Sequence, residues 1–210
     1  MHSLKRDQLI LSFIYLTRWN LYITAVTCTL SAYFTTLNYC RKLSKQNQMT
    51  IWLKIFWFLH NNIILYSILI SGIYWSLLHD GSAIDLNNVL IHMKNSLVLI
   101  FDLLIIQHPY RKSHFIYPII CGAIYELFTV IYTLSGGIDY DGNNYVYSII
   151  NWNKKPVSSI IVSTLLLISL AIMHMMICSL HAIRTKLGNY VNTRQNMLKT
   201  AKEENIMMSV

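Results

Sequence analysis

Apolar residues gather in five long runs, at about residues 8–34, 51–78, 87–107, 114–135 and 156–182, with short polar segments between them. A helix needs roughly 20 mostly apolar residues to cross a hydrocarbon core, and each run is that long. The polar residues inside the runs are ordered. Thr17, Asn20, Thr24, Thr27 and Ser31 follow steps of three and four, which set them on one helical stripe. Asn88, His92, Asn95 and Asp102, by steps of four, three and seven, share a stripe in the third run. In lipid such a stripe turns towards neighbouring helices, where polar groups find partners and small hydroxylated residues allow close approach. The pattern predicts an all-α fold, a polytopic transmembrane helical bundle of about five spans. A polar tail follows over residues 184–210, either disordered or a short surface helix.

Punctuation agrees with these boundaries. Pro109 ends the third run because it lacks a backbone donor, and Pro156 suits the first turn of the fifth. The segments HDGSAID and GGIDYDGNNYVYSIINWNKK are rich in turn formers. The aromatic residues of the second segment predict a loop lying along the membrane interface.

Composition reinforces the membrane reading. The chain has 210 residues, of which 54% are hydrophobic and only 12% charged, with a mean hydropathy of +0.42. So few charges do not cover a globule of this size. The net charge of +8 does not imply nucleic acid, since the basic residues sit at the ends of apolar runs. Cys28, Cys40, Cys121 and Cys178 show neither zinc spacing nor a disulfide framework, so no metal or other cofactor is indicated. The expected partner is membrane lipid; the oligomeric state is left open.

Charge also orients the chain. The segment carrying Arg41, Lys42 and Lys45, the turn HPYRKSH and the tail are basic; the other two loops are neutral or acidic. The positive-inside rule then puts the C-terminus in the cytosol, in the plasma membrane or the endoplasmic reticulum. Lys5 and Arg6 fall on the wrong side, as if one earlier span were missing.

This orientation assigns depths. Thr17 lies about nine residues into span one and His92 about five into span three, so they sit within one or two turns of one level. A hydroxyl and an imidazole at one depth in a buried space are a candidate nucleophile and base. Asn20, Asn88 and Asn95 are candidate oxyanion or cavity donors. Asp102 lies about 15 Å further along its helix than His92 and cannot orient that imidazole within the helix. It comes nearer in depth to His60, a second pair expected to be structural. Glu126 and His174 are further intramembrane polar residues, expected to act as bundle glue. The plainer alternatives are a packing threonine bonded to its own i−4 carbonyl and a histidine satisfied within the bundle.

The segments LTRWN, IYWSLL, NSLVLIFDLLI, PYRKSHFIYPIICGAIY and LFTVIYTLSGG resemble the rolling stone family, multi-pass membrane proteins linked to myoblast fusion. The resemblance spans about Ile10 to Trp152 and is most specific in LTRWN and in the block Asp85–Gly137. That family is in turn similar to the androgen-induced and androgen-dependent TFPI-regulating proteins. These are intramembrane threonine hydrolases that cleave fatty acid esters of hydroxy fatty acids. The likeness implies that Thr17, in YLTRWN, occupies the position of their threonine. It implies that His92, with an acid ten residues on at Asp102, occupies that of their histidine. Arg18 and Glu126 depart from the hydrolase pattern, and both families usually carry one more span before the threonine box, so a divergent or shortened member is expected.

Three functions follow as expectations. The first is a threonine/histidine hydrolase of lipid esters. The second is a non-enzymatic membrane protein acting in cell fusion or adhesion. The third, a transporter or proton path through His60, Asp102, Glu126 and His174, ranks last, because no inverted repeat or pair of broken helices is evident.

Overall fold

A computed structural model describes residues 11–41, 50–78, 86–105 and 110–208, apart from the side chains at 38, 40, 41, 78, 87, 88, 104, 105 and 201–208. Lys5, Arg6, Lys42, Lys45, the acidic loop at 79–85, Pro109 and the side chain of Asn88 lie outside the described residues.

The fold is all-α. Helix α1 covers Leu16–Arg41 and α2 covers Ile51–Ile73, continuing into a π-helical turn, Tyr74–Leu78. A short α3, Leu86–Val89, passes through a second π turn, Leu90–Lys94, into α4, Asn95–Ile105. A 3₁₀ turn, Lys112–Phe115, leads into α5, Ile116–Leu134, and α6 spans Pro156–Met208. Among the described residues there is no strand, only an isolated bridge between Tyr147 and Ile150.

Local chemistry sets the ends. Thr50 caps α2, its side chain accepting from the Leu53 N–H. The end of α5 is a Schellman turn. Gly137 N–H donates to the Tyr132 carbonyl and Gly136 N–H to that of Thr133, while Gly136 takes the left-handed φ of 82° that a glycine tolerates. Pro156 opens α6.

Among the described residues three helices are long and apolar enough to cross a membrane: Ile51–Leu77, Lys112–Leu134 and Pro156–Thr200. They coincide with the second, fourth and fifth expected spans. The protein is an integral membrane protein built as a helical bundle. Helix α2 is its axis, packing on α1, α4, α5 and α6. Ile63, Ile64, Leu65, Tyr66 and Ile70 of α2 meet Leu99 of α4 and Leu170 and Ile177 of α6 in one buried cluster. Exposed Val26, Phe101, Ile124, Leu165 and Ile172 face outward, as lipid-contacting side chains do.

The fold differs from the sequence reading in three places. The first span is not one continuous helix: the chain turns at residues 13–15 and α1 starts at Leu16. The loop at 136–155 folds inward instead of lying flat. Val146, Ile150 and Asn151 are buried, and the Trp152 indole donates to Thr129 Oγ1 at 3.1 Å. The segment after residue 184 is neither disordered nor a short helix, because α6 runs unbroken for 53 residues, about 80 Å. Beyond Pro156 in its first turn the helix contains no proline, and its one glycine, Gly188, does not interrupt it.

Candidate functional site: a cavity at the start of the first helix

The turn before α1 is held by groups distant in sequence. The Leu16 N–H donates to the phenol oxygens of Tyr125, at 3.0 Å, and Tyr147, at 3.1 Å. The Tyr125 hydroxyl donates in turn to the Ile14 carbonyl at 2.8 Å, and the Trp19 indole N–H donates to Phe13 O. A helix interrupted in a membrane frees backbone groups that water does not reach, so such partners are what makes the break tolerable. Tyr125 comes from α5 and Tyr147 from the 136–155 loop, which burial of the phenol, pushing its pKa up, keeps neutral.

The break opens a cavity of about 350 Å³. Residues 15–18, the first turn of α1, form one wall; Tyr66, Ile70 and Tyr74 of α2, His92, Glu126 and Leu167 form others, and Tyr140, Tyr147 and Ile150 close the loop side. The lining is mostly apolar with a few polar groups, the usual character of a small-molecule site.

Thr17 and His92 thus line one space. Thr24, Thr27, Thr29 and Thr36 each donate to the carbonyl four residues earlier. The Thr17 hydroxyl makes no such bond among the described residues, and Thr17 N–H, in the first turn of α1, has no acceptor there either. First-turn N–H groups are the orphan donors of a helix and carry its positive end. His92 sits in the π turn Leu90–Lys94, stacked on Tyr74 of the other π turn, with ring centroids 3.6 Å apart and 4° between planes. Its carbonyl accepts from the Ser71 hydroxyl, while its Nδ1 is buried without a partner among the described residues. π turns recur at functional sites because the extra residue re-aims a side chain.

Asn20, Asn95, His60, Asp102 and His174 lie elsewhere. Asn20 and Asn95 are not among the residues lining the cavity. Both donate to Ser67 Oγ, at 2.7 and 2.9 Å, and join α1, α2 and α4. A stripe on a helix says which face turns inward, not which inward neighbour takes each donor, and Ser67 takes both. His60 Nε2 meets Asp102 Oδ2 at 2.6 Å between α2 and α4, away from the cavity. His174 is buried; its Nε2 lies 3.0 Å from the Arg111 carbonyl, an acceptor, so that nitrogen carries the proton. Cys178 Sγ is 3.4 Å from the same nitrogen. Glu126 lines the cavity and accepts from Ser163 Oγ of α6 at 2.8 Å. Arg18 lines it too. Among the described residues no three His, Cys, Asp or Glu side chains converge as metal ligands.

Tyr125, Tyr147 and Tyr74 went unread in the sequence. The only signal they gave was being tyrosines in apolar surroundings, which fourteen tyrosines in this chain dilute.

The family model for protein rolling stone matches residues 9–194. Protein rolling stone of Drosophila melanogaster is 32% identical over 155 residues, which cover 68% of this chain and 56% of that protein. The chain therefore spans a little over half the length of this relative. No solved structure matches. With LTRWN at the start of α1 and the Asp85–Gly137 block supplying both His92 and Tyr125, the chain belongs to the rolling stone family.

Proposed function

We propose that this integral membrane protein hydrolyses lipid esters, with Thr17 as nucleophile and His92 as base. The observation that carries the reading is that a threonine hydroxyl and an imidazole nitrogen, each without a hydrogen-bond partner among the described residues, line the same largely apolar cavity. The resemblance to intramembrane threonine hydrolases supports the same two residues, and fatty acid esters of hydroxy fatty acids, or esters like them, are the substrate class it suggests.

The steps balance without a cofactor. Thr17 Oγ attacks the ester carbonyl carbon while His92 takes the hydroxyl proton. The tetrahedral oxyanion lies near the Thr17 N–H, which has no acceptor among the described residues, at the positive end of α1, a donor of the kind that stabilises developing charge. Collapse breaks the ester C–O bond, and His92 returns the proton to the leaving alcohol. Water, deprotonated by His92, then attacks the acyl-threonine, which releases the carboxylic acid and regenerates Thr17. The apolar wall holds the chain and limits competing water. The basic segments and the polar end of α6 support a cytosolic C-terminus, with the plasma membrane or the endoplasmic reticulum as the membrane.

Purified protein in micelles, assayed with a fatty acid ester of a hydroxy fatty acid, should turn over. Thr17→Ala and His92→Ala should each lower kcat by at least about 100-fold, the scale of a lost acid–base group, with expression unchanged. Absence of turnover in the unsubstituted protein, or variants as active as it, would sink the reading and leave the non-enzymatic fusion or adhesion role in its place.

A further inference from the structure

Two charged side chains that the hydrolase pattern lacks, Arg18 and Glu126, line the same cavity. They do not neutralise each other: among the described residues the ion pair within 4.0 Å is His60–Asp102. Arg18 stands in the first turn of α1, beside Thr17. Glu126 stands on α5, where Ser163 holds Oε2 and Oε1 has no bond among the described residues. Arg18 is exposed and Glu126 half-buried, and within a membrane a charged group that lines a mostly apolar site without a partner is expensive. A ligand that supplies both counter-charges offsets both costs at once. A purely anionic ligand would satisfy Arg18 and be repelled by Glu126; a neutral one would satisfy neither.

We propose that the cavity binds an amphiphile with a zwitterionic head group, its anionic part on Arg18, its cationic part on Glu126 and its chain along Leu69, Ile73 and Leu167. The volume of about 350 Å³ takes the head group and the start of one chain, the rest lying in the bilayer. The inference uses the cavity of the hydrolase reading and so rests on that choice of cavity; it narrows the substrate to esters with a zwitterionic head group, in place of fatty acid esters of hydroxy fatty acids, whose one charged group is a carboxylate. It concerns binding, and turnover can fail without it.

The test reads binding to the full chain in neutral micelles with a ligand that cannot be cleaved, ether-linked lysophosphatidylcholine. Its competitors are ether-linked lysophosphatidic acid, an ether-linked monoalkylglycerol and glycerophosphocholine, which carries the head group alone. The zwitterionic amphiphile should bind at least about tenfold more tightly than each of the three, the scale of one well-made charged contact. Arg18→Gln should weaken both phospholipids about tenfold and leave the monoalkylglycerol unchanged. Glu126→Gln should weaken lysophosphatidylcholine while strengthening lysophosphatidic acid. Lysophosphatidic acid or the monoalkylglycerol binding as tightly as lysophosphatidylcholine would overturn the proposal, as would a Glu126→Gln variant with an unchanged ranking. The ranking on the unsubstituted protein decides the matter even where a variant fails to fold.

Discussion

Replacing Tyr125 by Phe removes one oxygen atom from the turn that precedes Thr17. That oxygen accepts from the Leu16 N–H at 3.0 Å and donates to the Ile14 carbonyl at 2.8 Å. After the change Leu16 N–H keeps Tyr147, but the carbonyl of Ile14, a residue only 5% exposed, loses its donor. An orphaned buried acceptor costs about 1–3 kcal/mol, and bonds between membrane helices average nearer 0.6 kcal/mol, so Tyr125→Phe should cost about 1–2 kcal/mol. Tyr147→Phe removes one of two acceptors from the same N–H and should cost about 0.5–1 kcal/mol. The double variant strands both backbone groups at a helix break, where no other group among the described residues bonds to them. Its cost should exceed the sum of the singles by about 1 kcal/mol, a coupling in the range seen for groups that share a partner. The assay is reversible unfolding in mixed micelles, read as a double-mutant cycle, with turnover of the ester substrate measured alongside. Because the turn positions Thr17, kcat should fall about 10- to 100-fold in Tyr125→Phe, as small misplacements of a reacting group do. Strictly additive stabilities together with unchanged kcat would refute the claim that the two phenols hold the nucleophile's turn.

Two further predictions follow from the packing. A Cβ on Gly122 would lie 2.8 Å from Leu167 Cδ2 and 3.2 Å from both Leu170 Cδ1 and the Tyr66 hydroxyl, so Gly122→Val should push α5 from α6 and lower stability by about 1–3 kcal/mol in the same unfolding assay. Removing His60 from its 2.6 Å contact with half-buried Asp102 should destabilise by about 1–3 kcal/mol, below the cost of a fully buried broken pair. Since neither residue lines the cavity, kcat of the folded His60→Ala protein should stay within about twofold of the original.

Much of this architecture was legible in the sequence for one reason: in a membrane the period of the polar residues reports which helix face meets protein. Thr17 and His92 could be put at one depth by counting residues, and the structure gives both to one cavity. His60 and Asp102 were matched by the same counting, and they touch. Counting fails where the helix does. The turn at residues 13–15 is stabilised by Tyr125 and Tyr147, 109 and 131 residues from Leu16, and nothing local signals it. The two π turns, Tyr74–Leu78 and Leu90–Lys94, shift the register by one residue each, which no hydropathy pattern resolves. Asn20 and Asn95 sit on the inward stripe as expected, yet Ser67 and not the cavity receives them. The 136–155 loop was read from its aromatics as interfacial. Its Tyr140 and Tyr147 instead close the cavity, because rings that suit an interface suit a lid equally well.

The central claim is that Thr17 becomes acylated, and a covalent intermediate can be caught. Purified protein treated with an activated long-chain ester such as p-nitrophenyl palmitate, quenched early and digested, should yield an acylated peptide containing Thr17 by mass spectrometry. The adduct should be absent from Thr17→Ala and form at least about 100-fold more slowly in His92→Ala. Acylation at another residue, or release of product with no adduct at Thr17 at any quench time while Thr17→Ala remains active, would contradict the account.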